Sequence, residues 1–225
     1  MEQQKYEKLS AQSPLLDETM KAQIGSVLEK MSQDIWVCAV IDLSDEKCRE
    51  MGEFLKAFSL IHSRVHLELY EPGENPKLEE EMECGGLYPV TGLYLEGKRY
   101  SGISFRGIPG GKEINSFVIA FYNAAGPGQP LDNALKKRIC ELDKPHSLQV
   151  FVSLACHYCA ETVILSQHIA ALTDCVKVQM TDAGLYPELV EQYQLERVPV
   201  MILDQEKRLV GGKNMDEILD FLEEK

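Results

Sequence analysis

Leu148-Gln149-Val150-Phe151-Val152-Ser153-Leu154-Ala155-Cys156-His157-Tyr158-Cys159 is the stretch whose reading decides the fold. Residues 148–154 alternate and are rich in β-branched and aromatic side chains, the pattern of a strand, and the cysteines follow where it ends. From Ala160 onward Val163, Ile164, Ile169 and Leu172 recur at helical spacing. Cys156 is therefore expected at or just before the first turn of a helix, with Cys159 inside that turn. The free amides and positive dipole end of a helix start favour an anion, and a thiolate is one. Cys156 thus reads as an exposed nucleophile of lowered pKa, and Cys159, one turn on, as the thiol that closes a short disulfide with it.

A CxxC alone also supplies half of many zinc sites. A four-ligand site needs two more Cys or His at matching spacing, and no second CxxC or His-x-x-x-His follows. Further on stands Arg197-Val198-Pro199-Val200-Met201-Ile202-Leu203. A proline opening an apolar strand cannot serve a central ladder, and X-Pro is the one peptide bond for which cis is cheap. The order is strand, CxxC helix, strand (176–180), helix (187–194), Val-Pro, then a hairpin ending at Gly211-Gly212. It resembles the thioredoxin and glutaredoxin superfamily, and that resemblance implies a cis-proline loop beside the CxxC.

The whole chain has 225 residues, 44% of them hydrophobic, enough for one large domain or two small ones. Its net charge of −13 argues against nonspecific binding to nucleic acid or an anionic membrane. The N-terminus lacks the basic and apolar regions of a signal peptide, and no apolar run approaches membrane-spanning length, so a cytoplasmic location is expected. Seven cysteines, an odd number scattered through the chain, do not form the pattern of a secreted disulfide framework. One pair is expected to be catalytic and the others reduced, with Cys140 and Cys175 read as buried hydrophobes.

The polar residues 1–16 are expected to form an unstructured tail. Asp17 then reads as the N-cap of a helix to about Met31, followed by a strand at 35–41, an amphipathic helix at 45–60 and a strand at 65–70. After the break at Pro72-Gly73-Glu74-Asn75-Pro76, residues 77–83 read as a short acidic segment with a solvated face. Tyr88-Pro89-Val90 opens a third strand, a hairpin pivots at Glu96-Gly97-Lys98, and Gly107-Ile108-Pro109-Gly110-Gly111 leads into a helix at 112–123. This order repeats in the second half. Tyr88-Pro89-Val90 matches Val198-Pro199-Val200, Gly97 to Gly102 matches Glu206 to Gly211, and Asp45-Glu46-Lys47-Cys48 falls against Cys156-His157-Tyr158-Cys159. The chain reads as an α/β internal duplication of two tandem thioredoxin-like folds in one continuous unit. Residues 17–124 form a fold without a CxxC, 125–130 a linker, and 131–225 the fold that carries it. Cys48 has no cysteine three residues before it and reads as a small helix residue.

The duplication, together with Ser153-Leu154-Ala155-Cys156-His157-Tyr158-Cys159, Arg197-Val198-Pro199 and Arg106-Gly107-Ile108-Pro109-Gly110-Gly111-Lys112-Glu113, resembles two related families. One is the tandem protein disulfide oxidoreductases; the other is the N-terminal domain of the flavoprotein component of alkyl hydroperoxide reductase, which keeps only the second CxxC. The resemblance implies a dithiol-disulfide oxidoreductase passing electrons from a flavin-dependent, thioredoxin-reductase-like donor to a peroxiredoxin or another disulfide-containing protein. No G-x-G-x-x-G follows a strand in this sequence, so no FAD or NADH site, and no other cofactor or metal, is expected here. Backbone groups of Val198 beside Pro199 would align the partner strand, Tyr158 would pack at the rim, and His157 reads either as a group that stabilises the thiolate by charge or hydrogen bonding or as a partly exposed helix residue. In both families a glutamate at the place of Glu113 projects toward the active cysteines, which implies an acid-base role; the plainer reading is a carboxylate at a helix start. A CxxC that holds zinc and a docking module without catalysis stand as the alternative readings.

Overall fold

In the computed structural model, which describes residues 6 and 8–223, the two halves of the chain contribute four strands each to a single sheet. The first half supplies β1 (Ile35–Val40), β2 (Val65–Tyr70), β3 (Val90–Leu95) and β4 (Arg99–Arg106); the second supplies β5 (His146–Val152), β6 (Val176–Asp182), β7 (Val200–Leu203) and β8 (Lys207–Val210). Their order is β2-β1-β3-β4-β6-β5-β7-β8. Within each half one pair is parallel, β1/β2 and β5/β6, and the others are antiparallel. The halves are welded by the parallel pair β4/β6. This is the α/β tandem fold read from the sequence.

The helices are α1 (Glu18–Leu28), α2 (Glu46–Ser59), α3 (Pro76–Glu81), α4 (Glu113–Ala125), α5 (Asn133–Cys140), α6 (Cys159–Leu172), α7 (Pro187–Gln192) and α8 (Met215–Glu223). Several begin where the chain supplies a cap: the side chains of Asp17, Asp45 and Asp132 accept from the amides of Met20, Cys48 and Leu135 at 2.8, 2.8 and 2.9 Å.

Strand alternation divides the core in two. Val37 and Ala39 of β1, Val150 and Val152 of β5, and Met201 and Leu203 of β7 face the large core, built with Phe54 and Phe58 of α2, Phe117 and Phe121 of α4, Val163 and Ile169 of α6, and α8. Their neighbours Cys38 and Val40 point to the other face, where Leu78 of α3 and the adjoining Met82 cover them; Phe151, Val200 and Ile202 are covered likewise by Leu189 of α7. The acidic segment is thus a short helix whose one apolar position is spent on the sheet.

Residues 8–16, expected to be an unstructured tail, depart from that reading. Leu9 and Leu16 are buried in the large core, the Lys56 ammonium donates to the Leu9 carbonyl, and the Ser10 amide donates to Glu53. Two leucines in a polar stretch are enough to hold it, and they carry no periodic pattern that would announce it. Residues 1–5 and 7 lie outside the described residues.

Candidate active site

Three adjacent strands end side by side, and each delivers a piece of the site. In the middle of the sheet the order is β4, β6, β5, with Arg106 opposite Thr181 and Val152 opposite Asp182. Beyond β5 the chain runs through Ser153-Leu154-Ala155 to Cys156; beyond β4 it runs through Gly107 to Gly111 and reaches Glu113; β6 itself ends on Asp182.

Cys156 and Cys159 are joined as a disulfide, with Cα atoms 5.5 Å apart. The Cys156 amide donates to the Ser153 carbonyl at 2.9 Å, closing the turn after β5. Cys159 is the first residue of α6 and fully buried; Cys156 precedes the helix by three residues and is half-buried. The pair therefore has an outer and an inner sulfur. His157 and Tyr158 between them face solvent, Tyr158 at 72% exposure.

Val198-Pro199 is a cis peptide bond, as is Tyr88-Pro89 in the first half. Because Phe151 pairs with Val200, Pro199 enters β7 beside the last residue of β5, directly before the redox turn. Val198 is half-buried and Pro199 buried. The site residues expected from the sequence in the second half thus gather at one end of one strand pair.

Glu113 opens α4 and is fully buried. The segment that delivers it is bonded to the redox loop: the Lys112 amide donates to the Leu154 carbonyl at 3.0 Å. Gly111, at φ +55°, would bring a Cβ to within 2.5 Å of that same carbonyl, so only glycine lets the two loops meet. The Ser116 hydroxyl donates to Glu113 Oε2 at 2.5 Å, whereas Oε1 has no partner among the described residues. Burial pushes the Glu113 carboxyl up to about 7, with the Asp182 charge acting in the same direction and the Ser116 bond against it.

A cleft of about 450 Å³ opens between the halves, lined by Ser153, Leu154 and Ala155 of the redox loop, Lys47 and Glu50 of α2, and Asp182. Asp182 was not singled out in the sequence, where it stands as an ordinary loop acid. Its significance comes from strand order, and the order β4-β6-β5 follows from no local pattern.

The remaining cysteines are single thiols. Burial pushes Cys38, Cys48 and Cys84 each up to about 12. Cys175 is half-buried and Cys140, expected to be buried, is exposed: it closes α5 one residue after Ile139, which takes the core position. Among the described residues no group of three or more His, Cys, Asp or Glu side chains comes together as a metal site, and no helix is long and apolar enough to cross a membrane. The glycine-rich turn that joins a strand to a helix, Gly107-Ile108-Pro109-Gly110-Gly111 between β4 and α4, lacks the G-x-G-x-x-G spacing, and its close approach is taken up by the Leu154 carbonyl, so it does not fit the pyrophosphate of a flavin or nicotinamide dinucleotide.

No family model matches the chain. It is similar to the F component of alkyl hydroperoxide reductase in Pseudomonas aeruginosa, with 27% identity over 205 residues, 91% of this chain and 37% of that protein. The chain spans little more than a third of the curated relatives it matches. The solved structure of the alkylhydroperoxide reductase AhpF of Enterococcus faecalis (V583), a C503A mutant, is 35% identical with a TM-score of 0.87, covering 92% of this chain and 99% of that one. A protein disulfide oxidoreductase from Aeropyrum pernix K1 shares the fold, with a TM-score of 0.79 at 18% identity over 92% of this chain and 91% of that one.

Proposed function

Since the chain belongs to the AhpF family of alkylhydroperoxide reductase components, we propose that it is a thiol-disulfide oxidoreductase that carries electron pairs between proteins by cycling Cys156-Cys159 between dithiol and disulfide. The observation that carries this reading is the disulfide itself, with one half-buried and one fully buried sulfur at the start of α6, entered beside the cis-Pro199 loop. The acceptor is a peroxiredoxin or another disulfide-containing protein. The donor is a thioredoxin-reductase-like flavoprotein component, because the residues of this chain fit no flavin site. The reading carries a cytoplasmic location, where such pairs are kept supplied with electrons. Residues 17–124 support the site, 125–130 link, and 131–225 carry the exchange.

In the dithiol form Cys156 is the nucleophile. Its thiolate attacks one sulfur of the partner disulfide, forming a mixed disulfide and releasing the partner's other sulfur as a thiolate. Cys159 then loses its proton and attacks Cys156, the second partner thiolate leaves, and two electrons have passed from this chain to the partner. Reduction by the donor runs the same steps backwards. The Val198 backbone aligns the partner segment as an added strand, and Tyr158, three-quarters free of its own protein, supplies rim contact together with His157. Cys159 is sealed from water, so its proton needs an internal acceptor. Glu113, delivered by the segment bonded to the redox loop and poised near neutrality, takes that proton and returns it when the disulfide is reduced.

The test is reconstitution. With NADH, a thioredoxin-reductase-like flavoprotein and a peroxiredoxin, addition of this chain makes peroxide-dependent NADH oxidation proceed, and Cys156→Ser removes the effect. Equal rates with the wild type and the Cys156→Ser chain would overturn the reading.

A further inference from the structure

We propose that Asp182 is the positioning residue through which buried Glu113 exchanges its proton with solvent, linking the inner thiol to the cleft between the halves. The inference rests on the role given to Glu113 above and extends it. Glu113 is fully enclosed and, among the described residues, one of its oxygens has no hydrogen-bond partner, so it cannot recover a proton from bulk water unaided. A group that does so must touch both water and the carboxyl's surroundings.

Asp182 stands in that place for reasons of topology. It ends β6, and β6 lies between the strand that leads to Glu113 and the strand that leads to Cys156. On the Glu113 side Gly107, at φ +94°, follows β4 directly; a Cβ there would lie 3.1 Å from the Asp182 Cβ, so the absence of a side chain at 107 leaves room for the carboxylate. On the redox side the Ala183 amide donates to the Val152 carbonyl at 2.9 Å, fixing the chain beside the turn that carries Cys156. The Gly184 amide donates to Asp182 Oδ1 at 2.9 Å, a fixed contact for a side chain that lines the cleft.

The charges around the pair are few. Asp182 is the charged group that acts on Glu113. Asp182 in turn is raised by its own burial and lowered by the Gly184 amide and by Lys47 of α2, which lines the cleft with Glu50 of the same helix. Just before α7 the Tyr186 phenol feels the Asp182 charge, and the redox-loop residues that line the cleft, Ser153, Leu154 and Ala155, are uncharged. The proton balance is closed: when the disulfide opens, Glu113 gives its proton to the Cys159 thiolate and becomes a carboxylate. In the disulfide form, a Glu113 proton lost to the cleft has to be replaced before the disulfide can open: Asp182 takes a proton from cleft water, passes it to Glu113 and is left as its own carboxylate, while in the dithiol form Glu113 stays the carboxylate that later accepts the Cys159 proton. No electron moves in this exchange.

Infrared titration of the oxidised full chain tests it. The protonated Glu113 carboxyl gives a carbonyl band that is absent from Glu113→Gln, and the pH at which this band disappears reads the protonation of Glu113 directly. In Asp182→Asn, which keeps an oxygen for the Gly184 amide, removal of the neighbouring negative charge lowers that midpoint by on the order of one pH unit. The pH profile for reduction of Cys156-Cys159 by dithiothreitol moves the same way, reduction slows, and Asp182→Glu restores both. Asp182→Ser, a second variant able to accept from the Gly184 amide, repeats the result. An unmoved midpoint and an unmoved reduction profile in both Asp182→Asn and Asp182→Ser overturn the inference. Failure of the Glu113 role itself is seen separately, as a reduction profile that Glu113→Gln leaves unchanged.

Discussion

The starts of α2 and α6 occupy the same place in the two halves and are closed by different chemistry. At α2 the Asp45 carboxylate accepts from the Cys48 amide, the helix begins at once with Glu46, and the Cys48 thiol is buried and pushed up to about 12. At α6 the helix begins only at Cys159, and Tyr158 before it makes no side-chain cap bond. A sulfur stands where the first half has a capping carboxylate. The two halves are otherwise alike: each has a cis-proline opening its third strand, β3 or β7, and the amides of Gly107 and Gly211 donate to the carbonyls of Pro89 and Pro199 at 3.0 and 2.9 Å. The duplicated frame therefore tolerates either group, and the exchange trades a stabilising cap for a reactive thiol.

The largest expected effects test that contrast. Cys156→Ser abolishes disulfide exchange, whereas Cys48→Ser leaves its rate unchanged; a loss of activity in Cys48→Ser would mean that the first half keeps a redox role. In the reduced protein, brief treatment with iodoacetamide labels Cys156 before Cys159 and Cys48, because those two are sealed in the core. Mass spectrometry of the digest reads the order.

A second difference lies in the acid that only the first half supplies. Glu113 is raised from 4.5 to about 7, so the folded chain holds a proton there that the unfolded chain has released. Relative to a neutral side chain at 113, the wild type loses stability as pH rises from about 4.5 through about 7, and the loss is complete above that. Glu113→Gln is accordingly more stable than the wild type by about 2 to 3 kcal/mol at pH 8 and matches it near pH 4. Urea unfolding at the two pH values measures this, and a difference independent of pH would show that the carboxyl does not titrate as its burial requires.

The contact that ties Glu113's segment to the redox loop comes next in size. Gly111→Ala forces a left-handed backbone and a clash with the Leu154 carbonyl, and lowers stability by about 2 kcal/mol. A substitution without cost would mean that the two loops separate freely.

Much of this was legible beforehand, and the reason is local. The strand ending in Cys156-x-x-Cys159 and the proline before Val200 each state their structure within a few residues, and the second copy at Pro89 confirms the frame. Glu113 was reached through resemblance, since a glutamate at a helix start has an ordinary explanation. What the sequence did not disclose depends on contacts between distant segments: the leucines that pin residues 8–16, the exposure of Cys140, and Asp182. The same limit is seen at Arg106 and Val210, equivalent positions facing Val90 and Val200. Arg106 is buried, donating to Gln179 and to the carbonyls of Glu83, Cys84 and Leu87, because β6 pairs with its strand; Val210 is 40% exposed on a strand with no further neighbour. Which edge the second copy would cover is a fact of assembly that residue type does not predict.

The smallest effect bears on the cap itself. If Asp45 serves only to satisfy the first turn of α2, Asp45→Ala lowers stability by about 1 kcal/mol, and Asp45→Asn, which keeps an oxygen for the Cys48 amide, lowers it by much less. Neither variant changes the rate or pH profile of Cys156-Cys159 exchange, since Asp45 belongs to the copy that has given up its nucleophile. The alternative is that a carboxylate was retained at this position because it shares in the proton traffic of the cleft, whose wall includes the neighbouring Lys47. In that case Asp45→Asn, though stable, would shift the pH dependence of disulfide reduction. Thermal melts of the three proteins, set beside their reduction rates from pH 5 to 9, separate the two: a stability change without a kinetic one leaves α2 as scaffold, and a kinetic change in the asparagine variant makes the start of α2 a second working part that the first half lends to the active site.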